Sequence, residues 1–207
     1  MSSKSSKVAE VLVNSSALKF GSFKLKSGVT SPYYIDLTWL LSSPEDFRSV
    51  VNVVTEEIKP TISSGKVNKL ASIELKGALL LPSIANLLNV PCIIIRKESK
   101  TYGLTDRITG GEVQKGDRVV FFDDVITSGA SKLEAIRLIE GAGGKIEAVV
   151  VVVDREQGGK QELEKRGYQV KPVTTITEIV KNLVSKKALT RNQANEILRY
   201  IKEKAEK

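Results

Sequence analysis

The sequence predicts an α/β fold in which a central parallel sheet is flanked by helices. Several apolar runs have the continuous hydrophobic character of strands that are buried on both faces of a sheet. Stretches with helical periodicity separate these runs, and such alternation is typical of a parallel sheet. The runs are residues 70–73, 90–95, 119–122 and 145–153. Because ligands of such sheets gather at the carboxyl ends of the strands, the residues after each run are the first candidates for a site.

The composition limits the classes of protein that the chain can represent. Its 207 residues include 32 basic and 24 acidic side chains, a formal net charge of +8, which favours anionic partners such as nucleic acid, acidic lipid or a phosphorylated metabolite. Histidine is absent and Cys92 is the one cysteine, which excludes histidine chemistry and an intrachain disulfide. No run approaches the ~20 apolar residues of a membrane span, and no apolar segment follows the polar start. We therefore expect one domain, residues 1–207, in a cytoplasmic protein without membrane partners.

Two helices and two strands are predicted before the first apolar run. Residues 8–18 have an amphipathic pattern, and two strands should follow that are joined by a turn at Ser27–Gly28. Ser43 has the properties of an N-cap, because Pro44 and two acidic residues come next, and the helical pattern continues to Pro60. At the other end of the chain we expect a strand at residues 168–173 and helices at residues 160–166, 178–184 and 191–204.

The most informative stretch is residues 118–131, RVVFFDDVITSGAS. Its apolar run is followed directly by Asp123 and Asp124. Two adjacent carboxylates at a strand end repel each other unless a ligand or a cation compensates them. Ribose hydroxyls or a sugar-bound Mg²⁺ would do so.

A hydroxyl-rich turn follows the aspartates and leads into a predicted helix. Thr127, Ser128 and Ser131 offer hydroxyl donors beside the free N–H groups of the helix start, which is a favourable site for a phosphate monoester. The spacing of Ser131 and Glu134 predicts a capping box, and Gly141 can end the helix. The glycine and lysine spacing of a Walker loop is absent.

The stretch DDVITSGAS resembles the phosphoribosyl diphosphate (PRPP) signature of the type I phosphoribosyltransferases. The plain alternative is a strand with a polar turn and a capped helix. The resemblance implies Mg²⁺ held mainly through PRPP, with no direct metal ligand from the protein. It also implies that the PRPP-binding residues of the motif are Asp123, Asp124, Thr127, Ser128, Gly129, Ala130 and Ser131.

The stretch ALKFGSFKLKSGVTSPYYIDL resembles the N-terminal segment of the orotate phosphoribosyltransferase family. In that family the segment forms a hood over the base site, which here corresponds to residues 17–41. The alternative is a small hairpin with solvated lysines. A later stretch, DREQGG, resembles the turn in which an arginine binds orotate, although Arg155 could instead pair with Asp154 or Glu156. The resemblance implies that orotate is bound by Lys26, Tyr33, Tyr34, Thr127 and Arg155.

Two further segments complete the resemblance. Lys76 lies in the turn that holds pyrophosphate in this family, although Gly77 stands alone where many members have a glycine pair. The stretch RKESK, in a long unpatterned segment that predicts a mobile loop, resembles the catalytic loop of the orotate enzymes. It implies PRPP contacts from Arg96, Lys97 and Lys100, and Tyr102 replaces the histidine common in the family. A solvated charge run is the alternative.

The expected activity is therefore that of an orotate phosphoribosyltransferase, which makes orotidine 5′-monophosphate and pyrophosphate in UMP biosynthesis, with Lys100 and Asp124 as catalytic residues. The resemblance also implies a homodimer whose Lys100 loop is shared between subunits. Two alternatives remain at this point: a phosphoribosyltransferase for a purine base, and a non-catalytic PRPP sensor that binds nucleic acid. No DNA-binding element is recognisable in the sequence, so we expect no nucleic-acid partner.

Overall fold

The structure is a computed structural model that describes residues 3–24, 28–98 and 107–205. Its strands are β1 (Leu18–Lys24), β2 (Thr30–Ile35), β3 (Lys69–Ile73), β4 (Cys92–Ile95), β5 (Ile108–Thr109), β6 (Arg118–Ile126), β7 (Lys145–Asp154) and β8 (Val170–Thr175). Its helices are α1 (Ser3–Asn14), α2 (Pro44–Ser63), α3 (Lys76–Leu88), α4 (Ala130–Gly141), α5 (Gly159–Lys165), α6 (Ile176–Ser185) and α7 (Arg191–Ala205), with a 3₁₀ helix at Leu37–Ser42.

The main sheet has the strand order β5-β4-β3-β6-β7-β8. Strands β4, β3, β6, β7 and β8 are parallel, and only the short β5 at the edge is antiparallel to its neighbour. The predicted parallel sheet is therefore confirmed. Its carboxyl edge brings together the ends of β3, β6 and β7, which lie next to one another at the centre of the sheet.

An apolar layer covers each face of the sheet. On one face, which we call the α4 face, residues of α4 and α5 such as Ile136 and Leu163 pack against Val149 and Phe121. On the other, the α2 face, α1, α2, α3 and α6 pack against residues such as Phe122. Burial on both sides explains why the central strands are apolar throughout.

The N-terminal strands β1 and β2 form a separate antiparallel pair, as the sequence predicts. The pair is held against the rest of the molecule by α7, because Tyr33 of β2 is fully buried and its ring lies 6.0 Å from that of Tyr200 in an edge-to-face arrangement. The role of this pair as a hood over a base stays a prediction.

Several boundaries differ from the predicted ones, and tertiary contacts explain the largest difference. Helix α1 begins at Ser3 rather than at residue 8, because its polar first turn docks: Ser5 Oγ lies 2.6 Å from Thr174 Oγ1. Helix α2 continues through Pro60 to Ser63, because a proline near a helix end removes a single N–H donor. The predicted cap Ser43 is confirmed, and the Thr190 side chain accepts the N–H of Gln193 at the start of α7. No helix in the part of the chain that the structure describes has the length and apolar character to span a membrane.

Candidate active site

A cleft of about 300 Å³ opens at the carboxyl ends of β3 and β6. It is lined by residues that come from four separate parts of the chain. They are Thr38, Ile73, Glu74, Leu75, Lys76, Lys97, Asp123, Asp124, Val125, Thr127, Ser131 and Lys132. The fold thus brings together six of the residues predicted for PRPP binding.

Both aspartates line this cleft although they are adjacent in β6. Phe121 packs on the α4 face and Phe122 on the α2 face. Beyond the aspartates the phase is inverted, since Val125 packs on the α2 face and Ile126 on the α4 face. A regular strand would send adjacent side chains to opposite faces. At the end of β6, both carboxylates nevertheless belong to one cleft.

The first carboxylate, Asp123, forms a buried ion pair. Lys132 Nζ lies 2.6 Å from Asp123 Oδ2, with only 4% and 7% of the two side chains exposed. The other oxygen, Oδ1, accepts the N–H of Asp124 at 2.9 Å. Lys132 is a functional candidate that sequence reasoning missed. The available signal was a lysine directly after the turn that is predicted to bind a phosphate, at a position where its helix faces the protein interior.

The second carboxylate, Asp124, has an unusual proton affinity. Burial, followed by the nearby negative charge of Asp123, raises the pKa of Asp124 to about 7. Lys132 opposes this shift without cancelling it. Asp124 can therefore change its protonation state near neutral pH, and hydrogen-bond donors from a ligand would favour its ionised form.

The turn after the aspartates leaves the start of α4 without a side-chain cap. The predicted capping box between Ser131 and Glu134 is wrong: the N-cap is Gly129 with φ +79°, and no side chain caps it. Glu134 instead pairs with Arg107, whose NH1 lies 2.7 Å from its carboxylate. Gly129 approaches Gly159 so closely that a Cβ would lie 3.2 Å from the carbonyl oxygen of Gly159. The first amides of α4 have no side-chain acceptor, as an anion site requires.

Two acidic residues, Asp36 and Glu74, contact the lysines that were predicted to bind PRPP. Lys76 Nζ lies 3.1 Å from Asp36 Oδ1, and the backbone N–H of Lys97 donates to Glu74 Oε1 at 2.7 Å. Burial alone would raise the pKa of Asp36, but hydrogen bonds from Thr38 and Lys76 lower it below its ordinary value. Nothing local in the sequence links Asp36 with Lys76, which are brought together by the fold.

Of the residues predicted to bind orotate, Thr127 lines the cleft, whereas Tyr33, Tyr34 and Arg155 lie outside its lining. Arg155 follows β7, and its Nε donates to the Tyr33 hydroxyl at 3.2 Å while its guanidinium lies 4.8 Å from the centre of the Tyr33 ring. Burial raises the pKa of Tyr33, although the charge of Arg155 opposes this. Tyr34 is partly exposed, with its ring 5.7 Å from that of Phe23.

Arg155 does not form the ion pair that was the alternative. Asp154 accepts the N–H of Glu156, and Glu156 accepts the N–H of Thr177. Within the described residues, the buried NH2 group of Arg155 has no hydrogen-bond partner. The same holds for NH1 of Arg96, which lies at the end of β4 and outside the lining of the cleft. Both guanidinium groups thus have donors available for a ligand.

Two predicted site residues, Lys26 and Lys100, lie outside the described residues, as does Tyr102. Ser128, Gly129 and Ala130 form the turn at the start of α4 but do not line the cleft itself. Among the residues that the structure describes, no group of three or more acidic, cysteine or histidine side chains could hold a metal ion.

Comparisons with known proteins agree with this geometry. Residues 46–185 match the family model described as "Phosphoribosyl transferase domain". The chain is 33% identical over 171 residues to the orotate phosphoribosyltransferase of Pyrococcus horikoshii, covering 83% of this chain and 90% of that protein.

Two solved structures extend the comparison. The UMP synthase of Leishmania donovani is similar with a TM-score of 0.83 and 33% identity over 96% of this chain, which spans only 42% of that longer protein. The orotate phosphoribosyltransferase of Aeropyrum pernix has a TM-score of 0.75 and 26% identity, with 86% of this chain and 98% of that one covered. The chain therefore belongs to the phosphoribosyltransferase family and, within it, to the orotate phosphoribosyltransferases.

Proposed function

We propose that the chain transfers the phosphoribosyl group of PRPP to orotate and so forms orotidine 5′-monophosphate and pyrophosphate, a step of pyrimidine nucleotide biosynthesis. The observation that carries this proposal is the convergence of a carboxylate pair, an uncapped helix start and lysine-bearing segments in one cleft. These are the groups that a ribose, a phosphate monoester and a pyrophosphate require. The orotate enzymes among the relatives support orotate as the acceptor.

The phosphoribosyl part of PRPP occupies the region between β6 and α4. Asp123 and Asp124 face the ribose hydroxyls, which donate hydrogen bonds to carboxylate oxygens. The 5′-phosphate lies at the start of α4, where backbone N–H groups and the helix dipole favour an anion. The residues that bind it are Thr127, Ser128, Gly129, Ala130 and Ser131.

The pyrophosphate of PRPP faces the basic residues, which are Lys76, Arg96, Lys97 and Lys100. Mg²⁺ would enter this cleft as an ion held mainly through PRPP, and the carboxylates that line the cleft suit its positive charge. When bound, the ion neutralises charge on the departing pyrophosphate. The lysines contribute to the same task from the protein side.

Orotate lies on the side of the N-terminal strands. Arg155 offers its unpartnered NH2 group to the planar carboxylate of the base, an arrangement that guanidinium groups favour. Its Nε is already bound by Tyr33, which fixes the orientation of the guanidinium plane. The remaining contacts come from Lys26, Tyr34 and Thr127.

The chemistry of this transfer needs little proton movement from the protein, which suits a chain without histidine. Orotate brings its own negative charge, and the anomeric carbon becomes cationic as pyrophosphate leaves. Asp124 stabilises that cationic centre, and Lys100 stabilises the leaving group. The protein otherwise orients the two substrates and excludes water. A homodimer that shares the Lys100 loop and a cytoplasmic location stay predictions.

The test is the release of pyrophosphate from PRPP and Mg²⁺ with orotate, uracil or adenine as the acceptor. We expect release with orotate and little with the other bases. A preference for adenine would replace orotate with a purine base, and the absence of release with any base would contradict an enzymatic role.

Replacing Arg155 by alanine tests the orotate site itself. The loss of a charge-assisted contact is worth about 1.5–3 kcal/mol, so the KM for orotate should rise roughly ten- to a hundredfold while the KM for PRPP changes little. Arg166→Ala is the matched control, because Arg166 pairs with Glu162 on the surface of α5. Equal effects of Arg155→Ala on both substrates would mean that Arg155 is structural.

A further inference from the structure

Lys132 is a helix lysine that is buried, whereas most lysines are exposed. It lies in the first turn of α4 with 4% of its side chain exposed, and its ammonium group contacts Asp123 Oδ2 at 2.6 Å. Burying an ammonium ion is costly unless a charge partner and hydrogen bonds compensate it. Asp123 supplies that compensation from the end of β6. The pair therefore links α4 with the strand that carries the carboxylates.

The carboxylate of Asp123 is held from more than one side. Lys132 binds Oδ2, and the N–H of Asp124 binds Oδ1. The backbone of Asp123 is also in close contact with α3, since a Cβ on Gly77 would lie 2.9 Å from Asp123 Cα. Asp123 is thus fixed between α3, α4 and its own strand, at the floor of the cleft.

We infer that Lys132 is a positioning residue for PRPP binding, which acts by holding the Asp123 carboxylate in place. This inference rests on the proposed function, because it concerns the ribose-binding part of the same cleft. Lys132 is in the lining of the cleft together with both aspartates, so it belongs to the site and not to the remote core. None of the motif residues predicted to bind PRPP carries a positive side chain, and Lys132 follows them directly.

The physical reason lies in the charge balance of the cleft floor. Without Lys132, two adjacent carboxylates would be buried beside each other with no cation in contact with Asp123. Like charges in such a setting repel each other, and one of them takes up a proton or turns towards water. Either response removes an acceptor from the position where a ribose hydroxyl must donate. Lys132 contacts Asp123 directly and so holds that carboxylate in position before the ligand arrives.

The experiment measures the Kd of PRPP by calorimetry, with Mg²⁺ and without orotate, in four forms of the protein. These are the unmodified chain, Lys132→Met, Asp123→Asn and the double variant. Methionine keeps most of the length and apolar volume of lysine while it removes the charge. Lys145→Met is the matched control, because Lys145 is 68% exposed at the opposite edge of the sheet. Thermal unfolding of each form shows which variants are folded.

We expect Lys132→Met to raise the Kd of PRPP about ten- to a hundredfold when Asp123 is present. With Asn at position 123, the same change should have little further effect, because Lys132 then has no carboxylate to hold. An unchanged Kd in folded Lys132→Met would overturn the inference. An equal loss of PRPP affinity with Asp and with Asn at position 123 would also overturn it, because Lys132 would then contact PRPP directly.

The same set of variants separates a failure of the inference from a folding defect and from a failure of the proposed function. If Lys132→Met alone does not fold, the double variant, in which both charges are removed, is compared with Asp123→Asn. Equal Kd values for these two forms support the inference, and weaker binding by the double variant overturns it. If the unmodified chain does not bind PRPP at all, the proposed function fails first, and the inference fails with it.

Discussion

Asp124 is a residue that costs folding free energy in the absence of a ligand. Its pKa is raised from 3.8 to about 7 by burial and by Asp123, so the folded protein holds a proton that the unfolded chain has already released between these pH values. The contribution of Asp124 to stability is therefore fully present below about pH 4 and is lost as the pH rises through about 7. Above that pH the folded protein contains a buried, poorly compensated carboxylate.

Asp124→Asn should therefore stabilise the free protein at pH 8, by on the order of 2–4 kcal/mol in the free energy of unfolding, and have much less effect at pH 4. The measurement is urea unfolding of both forms across this range. Asp117→Asn is the control, and its effect on the free energy of unfolding should have the opposite sign. Hydrogen bonds from Lys69 and Gln114 lower the pKa of Asp117. Asp117→Asn should therefore destabilise the protein at pH 7 and matter less in acid. A loss of stability in Asp124→Asn at pH 8 would contradict the raised pKa.

At the scale of elements, the start of α3 lies against the end of β6. Gly77 is the second residue of α3, and a Cβ there would lie 2.5 Å from Ser72 Oγ and 2.9 Å from Asp123 Cα. These atoms belong to two central strands and cannot move away easily. The absence of a side chain is thus what allows α3 to begin beside the aspartates, and a single glycine suffices for this contact.

Gly77→Ala should displace α3 from β6, with a loss of about 1–3 kcal/mol in stability and a rise in the KM for PRPP. Gly141→Ala is the matched control, because nothing lies within 4 Å of the position that its Cβ would take. Thermal unfolding and steady-state kinetics of the two variants are sufficient measurements. If both variants behave alike, the close approach at Gly77 does not matter for the site.

The elements show where a sequence pattern is a sufficient guide and where it is not. The apolar run of β6 was predictable because burial on both faces selects it residue by residue. The presence of both aspartates in one cleft was not, since adjacent residues of a regular strand point to opposite faces. The capping box at Ser131 was wrong because the N-cap of α4 is Gly129, two residues earlier. Glu134 pairs with Arg107 instead, a contact that no local pattern indicates.

At the scale of the whole molecule, the alternation of strands and helices predicts the sheet, and the sheet predicts where ligands bind. What could not be predicted are the contacts between segments that are remote in sequence. Tyr33 and Arg155 are separated by 122 positions and still share a hydrogen bond. Asp36 meets Lys76 in the same way. Such pairs follow from the packing of the N-terminal strands and loops on the sheet, for which the sequence alone has no periodic signal.

Arg96 and Arg107, which flank in sequence the stretch that contains Lys100, are hydrogen-bonded to each other. The N–H of Arg96 donates to the carbonyl oxygen of Arg107 at 2.8 Å, and Arg107 Nε donates to the carbonyl oxygen of Arg96 at 2.9 Å. Arg107 also binds Glu134 on α4. Both arginines therefore lie close to α4. Whether Lys100 acts in the cleft of its own chain or in that of a second copy is open to a direct test.

A mixing experiment decides this question for the predicted homodimer. Lys100→Ala should be inactive because it lacks the charge that stabilises the leaving pyrophosphate, and it should lower kcat more than it raises KM. Asp124→Asn should be inactive because it lacks the carboxylate beside the ribose, and it is preferable to Asp123→Asn because it leaves the ion pair with Lys132 intact. If the Lys100 loop is shared, one site in a hybrid dimer has both an intact loop and an intact carboxylate pair.

An equal mixture should then recover about a quarter of the activity of the unmodified protein, because half of the dimers are hybrids and each has one working site. Exchange of subunits has to be shown independently, for example by the mass of dimers formed from tagged and untagged chains. With exchange established, activity that stays at the level of the separate variants would mean that each loop serves its own cleft. A Lys100→Ala protein with unimpaired turnover would instead remove Lys100 from the catalytic residues.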